Sequence, residues 1–328
     1  MTQAVHEHDI QAILRLALPR GPLAALVQRL APGGRLVRAQ RLRGGISSRM
    51  DVLHIDRADG TREKVSLRRL LGHHGSPEDA VTEFEVLRLL QGAGIAAPRP
   101  ILLDARSEIF GGPALVISYL PGRVLFVPDG AGIAAWTKGI AAALHDVHQV
   151  TPKRFDLSSL RVRSREWLRS RIEGRREALQ RDPLGAEVHA ALAAGIERIE
   201  FREATLVHND FWWANVIWYR SRVAGIVDWG GAVLGDPRAD VAEGRIGFVL
   251  SHPLAVADAF RDAYEGAAGR KLRDLWFFDL YRGGGALLEY ESWLDGYHDL
   301  GVPRLEARDV RARLEAFMRR ALEEGRAS

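Results

Sequence analysis

The chain has 328 residues, a formal charge of +4, 47% hydrophobic and 27% charged residues. Those proportions are those of a soluble globular protein and exclude dominant disorder, while the length suits one large domain or two lobes sharing a cleft. No window approaches the roughly 18 uncharged apolar residues of a bilayer helix, and the absence of cysteine removes disulfides, thiolate metal sites and cysteine nucleophiles. The first residues carry Glu7 and Asp9 and no apolar signal core, so a cytoplasmic location is expected. The small positive charge does not point to nucleic acid, and neither nucleic acid nor a membrane is expected as a partner.

Apolar residues at helical spacing run through 8–30, interrupted at Pro19 and Gly21-Pro22. Three strands are predicted at 35–42, 50–56 and 64–70, the last two joined at the Asp59-Gly60 hairpin signal. Ser76-Pro77 followed by Glu78 and Asp79 opens a helix that reaches about Gln91 and stops at Gly92 and Gly94. Strands at 100–104 and 114–119 complete a β-β-β-α-β-β order. Beyond Leu120-Pro121-Gly122 the pattern turns helical, at 132–150 and 160–200, broken by a strand at 204–207. A hairpin of 215–219 with 223–227 around Ser221-Arg222 comes next, and helices dominate again from Asp240. The expected organisation is therefore α+β: an N-terminal lobe, 1–120, of antiparallel sheet plus one helix, and a mainly helical C-terminal lobe, 121–328.

The segment 206–240 carries the chemistry. His208-x-Asp210 is followed five residues later by Asn215, and thirteen residues after that by Asp228-Trp229-Gly230. Pairing of the two hairpin strands brings Asn215 and Asp228 together. One amide oxygen and one carboxylate make an under-charged hard-cation site, which Mg²⁺ accepts when phosphate oxygens and water complete its octahedron. Asp210, in a loop after a strand, is placed to orient or deprotonate a hydroxyl. This is the protein-kinase layout of catalytic Asp, metal Asn and metal Asp-x-Gly.

The segment resembles the aminoglycoside phosphotransferase family, kinase-like small-molecule kinases that include choline and homoserine kinases. The His-Asn-Asp, the Asn five residues on, Ile226-Val227-Asp228-Trp229, Gly235-Asp236-Pro237 and Asp240 carry the likeness, and the N-terminal strands extend it over almost the whole chain. Asn209 stands where Gly is commoner. The resemblance implies a protein-kinase-like bilobal fold, Asp210 as catalytic base, Asn215 and Asp228 as metal ligands and His208 as a structural residue of the catalytic loop. Asp236 and Asp240 are read as structural, capping the next helix or bracing the loop.

Val65-Ser66-Leu67-Arg68 sits where a kinase has Val-Ala-Ile-Lys, with Arg in place of Lys. Lys64, on the same strand face, is the alternative phosphate contact. The acid partner on the helix is expected to be Glu83, with Glu85 second. The turn 44–48, with Ser47 and Ser48, lacks the full glycine-rich pattern but offers amides and hydroxyls to phosphate. Ile117 and Tyr119 occupy the hinge, where adenine meets backbone, so ATP is expected and GTP stays open. The expectation is an ATP- and Mg²⁺-dependent phosphotransferase with a small-molecule hydroxyl acceptor, an antibiotic, amino alcohol or sugar. The alternatives are a protein kinase, which the missing Ala-Pro-Glu segment disfavours, and a non-catalytic binding module. The stretch 161–181, with eight Arg against three acids, reads as a solvated face or as a lining of the acceptor cleft that favours an anionic or neutral acceptor. Glu243, Glu289, Glu291, Asp295 and Asp299 are the acids available to an amine. His145 and His148 read as packing residues, and Trp212 and Trp213 as loop anchors or a stacking surface.

Overall fold

A computed structural model describes residues 18–42, 48–70, 76–106, 108–110, 112–128 and 130–328. The part of the first predicted helix before residue 18, and the glycine turn with Ser47, lie outside the described residues. The chain divides into two compact units, Met1–Pro121 and Gly122–Ser328.

The first unit contains helix α1 (Arg20–Leu30), strands β1 (Arg35–Arg41), β2 (Ser48–Asp56) and β3 (Arg62–Leu70), helix α2 (Pro77–Ala93), and strands β4 (Pro100–Asp104) and β5 (Ala114–Ser118). The five strands form one antiparallel sheet in the order β1-β2-β3-β5-β4. Leu53, Ile55, Val65, Leu67 and Val116 bury one sheet face against Leu23, Leu26 and Val27 of α1. Gly21-Pro22 does not interrupt α1 as the sequence suggests. Pro22 falls in the first turn, where the amide it lacks has no helical acceptor to lose. Helix α2 is bounded as its residues dictate: Ser76 Oγ accepts from the Asp79 amide at 3.0 Å, Pro77 sits in the first turn, and Gly94 closes the helix at φ 72°.

The second unit contains strand β6 (Arg123–Val124), helices α3 (Ile133–Val147), α4 (Arg165–Gly174), α5 (Arg176–Gln180) and α6 (Pro183–Arg198), and strand β7 (Thr205–Val207). A 3₁₀ turn (Trp213–Asn215), strands β8 (Val216–Tyr219), β9 (Arg222–Ile226) and β10 (Val233–Gly235), and helices α7 (Arg238–Ser251), α8 (Leu254–Ala268), α9 (Leu275–Asp299) and α10 (Ala307–Ala327) follow. The continuous helix expected over 160–200 is three helices. The chain resets at Arg175 and again at Asp182, whose carboxylate caps α6 through the Gly185 amide at 3.0 Å. Residues 161–163 are extended instead, and Val162 pairs in parallel with Leu234 of β10. The β8–β9 hairpin turns at Arg220-Ser221, one residue earlier than expected, both in the left-handed region at φ 49° and 63° that a two-residue turn of this twist requires. Among the described residues, no helix is long and apolar enough to cross a membrane.

The helical unit is pinned by a buried ion pair. Arg238, fully buried, reaches Asp236 at 2.7 Å and donates to the Arg273 and Glu200 carbonyls at 2.6 Å each. Asp236 also accepts from the Arg202 and Arg238 amides, the structural role that the sequence suggests for it. Removing one partner of such a pair leaves a buried, uncompensated charge. Arg238→Met is therefore expected to cost about 3–5 kcal/mol in urea unfolding of the full chain; a loss below about 1 kcal/mol would show that the pair is not a keystone.

Candidate active site

Strand β7 delivers His208, Asn209 and Asp210 at its C-terminal end, and the buried carboxylate of Asp240 on α7 catches that turn. Its Oδ2 accepts from the His208 amide and its Oδ1 from the Asn209 amide, both at 2.7 Å, and His148 Nε2 lies 3.2 Å from Oδ2. Burial alone would raise the Asp240 pKa, but the hydrogen bond and charge of His148, with the contacts from His208, outweigh it and hold the carboxyl below the usual range. The Tyr264 hydroxyl, 2.6 Å from His148 Nδ1, leaves Nε2 as the protonated nitrogen that faces Asp240. His148 is thus a buried bridge. His145 instead meets Gln149 at 3.1 Å and the edge of the Tyr264 ring.

A second set of bonds joins this turn to the hairpin. The His208 ring accepts from the Asp210 amide at 3.3 Å through Nδ1 and donates to the Val227 carbonyl at 2.9 Å through Nε2. The Val227 amide donates to the Asn215 carbonyl at 2.9 Å. The Asn215 side chain donates to the Asp210 carbonyl at 2.8 Å and to its carboxylate at 3.3 Å. Val227, the residue just before Asp228, therefore ties Asn215 to His208. Asn215 lies in a 3₁₀ turn instead of opening the strand, and Asp228 stands two residues beyond β9 at φ 69°, a left-handed conformation that turns the chain sharply.

The sequence-predicted trio of Asp210, Asn215 and Asp228 is thus brought into one locality of the helical unit. Two residues complete its electrostatics. Glu243 on α7 pairs with Arg282 on α9 at 2.9 Å, and Arg282 donates at 2.9 Å to Asn209 Oδ1. Asp210 keeps a solvent-exposed face, yet its carboxyl sits in a crowded recess. Burial raises its pKa first, then the negative charges of Asp228 and Glu243, against the hydrogen bond from Asn215 and the charge of Arg282; the result is a carboxyl pushed up to about 8. Burial likewise raises Glu243 against the pull of Arg282. Such an excess of carboxylate over cation, lined by oxygen donors, fits a hard divalent ion. Among the described residues no cage of three or more His, Asp or Glu exists, which leaves the amide-plus-carboxylate pair as the candidate ligand set.

In the N-terminal unit, Arg68 on β3 bonds Glu83 on α2, Nη1 to Oε1, at 2.8 Å, with both side chains buried. Glu85, the second choice, is half-exposed and lies 3.6 Å from Arg88. Lys64 is exposed and stands over the Tyr119 ring at 5.5 Å. Ile117 is buried in β5 opposite Ser66, and Tyr119 follows the strand. Ser48 opens β2 opposite Leu70. Trp213 is buried and donates to the Gly247 carbonyl and to Ser251, both at 3.2 Å. Trp212 packs on Tyr297, and a Cβ at Gly247 would lie 2.8 Å from Trp212 Cβ. These two indoles anchor the loop. Arg282 is the functional neighbour that sequence reasoning missed: it sits in α9 with no motif around it, 73 residues from Asn209.

A model of the phosphotransferase enzyme family matches residues 38–276. The chain belongs to that family. The chain also resembles solved structures closely enough to establish a protein-kinase-like α+β fold. A protein of Ralstonia eutropha JMP134 assigned as an aminoglycoside phosphotransferase is 16% identical, with a TM-score of 0.68 over 95% of this chain and 99% of the other. Macrolide 2'-phosphotransferase MphH from Brachybacterium faecium is 18% identical, with a TM-score of 0.57 over 94% and 98%. A thermostable mutant of aminoglycoside phosphotransferase APH(4)-Ia, in a ternary complex with ADP and hygromycin B, is 20% identical, with a TM-score of 0.61 over 90% and 97%. Among curated proteins, acyl-CoA dehydrogenase family member 10 of Mus musculus is 25% identical over 190 residues, 55% of this chain. A protein of Arabidopsis thaliana assigned as acyl-CoA dehydrogenase IBR3 is 26% identical over 193 residues, 52% of this chain. The phosphotransferase spans only 18% and 23% of the length of those two relatives.

The raised pKa of Asp210 has a measurable sign. The folded chain holds a proton on this carboxyl that the unfolded chain releases near pH 4, so stability falls as pH rises from about 4 to about 8 and is level above that. Asp210→Asn is permanently neutral and removes that slope. Without divalent ions, the variant's thermal midpoint is expected to gain on the wild type between pH 5 and pH 8; midpoints that stay parallel across that range would contradict the assignment.

Proposed function

We propose that this phosphotransferase moves the γ-phosphoryl group of ATP to a hydroxyl of a small molecule. The observation that carries the reading is the locality that holds Asp210 hydrogen-bonded to Asn215 with the Asp228 charge acting on it, built on Val227 and Asp240. The Asp210 carboxylate takes the proton of the acceptor hydroxyl as its oxygen bonds to the γ-phosphorus, the bond from that phosphorus to the bridging oxygen breaks, and ADP leaves with the electron pair. Asn215 orients the Asp210 carboxylate through its amide and, with its remaining oxygen and the Asp228 carboxylate, offers ligands to Mg²⁺. When bound there, the ion supplies the positive charge that the transferring phosphoryl group needs and lowers the pKa of neighbouring carboxyls toward the ionised form.

In the N-terminal unit, Glu83 holds the Arg68 guanidinium, which serves as the phosphate contact; the buried pair supports Arg68 over Lys64, whose ammonium is exposed beside Tyr119. Ser47 and Ser48 are assigned to the phosphate turn, and Ile117 and Tyr119 to the adenine-facing segment. The relative that holds ADP supports an adenine nucleotide over GTP.

Mg²⁺ with ATP is expected to raise the thermal midpoint of the wild type by several degrees, as any ligand selective for the native state does. Asp228→Ala should lose most of that rise. Asp210→Asn should keep it while ADP production falls at least about a hundredfold. Equal stabilisation of the wild type and Asp228→Ala would overturn the metal assignment, and an active Asp210→Asn would overturn the base.

A further inference from the structure

Of the eight arginines in 161–181, four are committed to structure. Arg169, Arg176 and Arg181 pair with Glu197, Glu173 and Glu177, and Arg165 donates to the Ile196 and Ile199 carbonyls at the end of α6. Arg161, Arg163, Arg171 and Arg175 remain, of which Arg175 is held by a backbone carbonyl as Arg165 is. Residues 161–163 lie extended along β10, with the Arg163 amide on the Leu234 carbonyl at 2.8 Å and the Leu234 amide on the Arg161 carbonyl at 3.0 Å. Positions 161 and 163 of an extended segment share a face. Arg163 Cζ stands over the Trp167 ring at 3.7 Å from its centroid, and Arg171, one helical turn beyond Trp167 in α4, stands 5.8 Å from the same centroid. Arg175 donates to the Tyr281 carbonyl at 3.3 Å and sits over the Tyr281 ring at 5.0 Å. Among the described residues, neither Arg163 nor Arg171 has a carboxylate partner, and Arg163 Nε is buried without a hydrogen bond.

The cluster is linked to the turn that carries the candidate base through Arg175 on the Tyr281 carbonyl and Arg282 on Asn209. Arg282, bonded to Asn209, follows Tyr281 directly and falls within electrostatic reach of both Asp210 and Arg163. Burial, then the charges of Arg161, Arg282 and Arg171, hold the Arg163 pKa below the usual guanidinium range, against the phenol of Tyr281. Like charges are thus crowded around Arg163. Of the acids open to an amine, Glu243 is already paired with Arg282, while Glu289, Glu291, Asp295 and Asp299 are exposed along α9.

We propose that the acceptor of this phosphotransferase is an anionic alcohol, whose phosphate or carboxylate is gripped by Arg163 and Arg171, with Arg161 and Arg175 beside them, while its hydroxyl meets Asp210. Planar guanidinium forks pair bidentately with either anion, and the Trp167 ring holds two of them in register. A polycationic acceptor meets repulsion at the same surface. The assignment rests on the phosphoryl-transfer reading for the hydroxyl end, but the anion site itself does not.

Two measurements separate the two. ADP release with Mg²⁺ and ATP is compared for a matched acceptor set: glycerol phosphate, glycerate, glycerol, aminopropanediol and kanamycin. Independently, calorimetry without nucleotide titrates glycerol phosphate and glycerate into the wild type, Arg163→Gln and Arg171→Gln, with far-ultraviolet circular dichroism to confirm folding and Arg163→Lys as the charge-keeping variant. The expected result is binding of at least one anion that weakens about tenfold or more in each Gln variant and less in Arg163→Lys. Turnover should favour that anion over glycerol and both amines through KM, and which anion binds tells phosphate from carboxylate. Preference for aminopropanediol or kanamycin, or anion binding unchanged in folded Gln variants, overturns the proposal while leaving phosphoryl transfer intact. No binding of either anion to the wild type overturns it as well. Anion binding lost in the Gln variants, with no ADP from any acceptor, leaves the anion site standing and counts against the transfer reading.

Discussion

One buried carboxylate organises the candidate active site. Asp240 is in the interior, where an isolated charge is costly, and it is stabilised there by two backbone amides and an imidazole. The amides belong to His208 and Asn209, so the stabilisation of the charge is also what bends the chain into Asp210. His148, reached from α3, and Tyr264, reached from α8, bring further helices into the same bond system. A side chain that no substrate needs to touch thus sets the position of the one that a substrate would.

The electrostatic design follows from what surrounds that turn. On one side lie Asp210, Asp228 and Glu243, whose mutual repulsion and burial keep a carboxyl protonated well above its ordinary range. On the other lie Arg163 and Arg171, which have no carboxylate partner among the described residues, and Arg175, whose charge also acts on Glu243. Arg282 stands where the two fields meet, with Glu243 on one hand and Asn209 on the other. Opposite excesses held apart by one paired arginine are an arrangement that a cation on one side and an anion on the other would both relax.

Much of this was legible in the order of residues because it is local. His208, Asp210, Asn215 and Asp228 fall within one loop and one hairpin, and a two-strand pairing is enough to gather them. Arg68 and Glu83 were legible because strand and helix periodicity leave few acids able to face β3. What stayed hidden depends on packing over long separations. Nothing near Arg282 marks it as a neighbour of Asn209. The breaks at Arg175 and Asp182 are set by capping and by the burial of Leu168, Ile172, Leu179 and Leu184, not by any gap in helical spacing. Residues 161–163 read as the start of a helix, yet they are drawn out along β10 by backbone bonds to Leu234. That tertiary pairing overrides local preference and turns two arginines of a helical run to one face.

Position 209 shows how conformation and charge were answered together. The turn into Asp210 requires a left-handed residue, and Asn209 adopts φ 67°, a conformation that Gly takes freely and Asn tolerates better than most. A glycine would satisfy the backbone and still offer its amide to Asp240. It would offer no side-chain oxygen to Arg282, which would then lose its 2.9 Å acceptor and keep Glu243 and the longer contact to the residue 209 carbonyl. The asparagine accepts some backbone strain, of the order of 1 kcal/mol, and in return couples the turn into Asp210 to α9. Through Tyr281 and Arg282 that same helix reaches the arginine cluster, so the choice of Asn at 209 joins the residue that would accept the proton to the surface that would hold the acceptor.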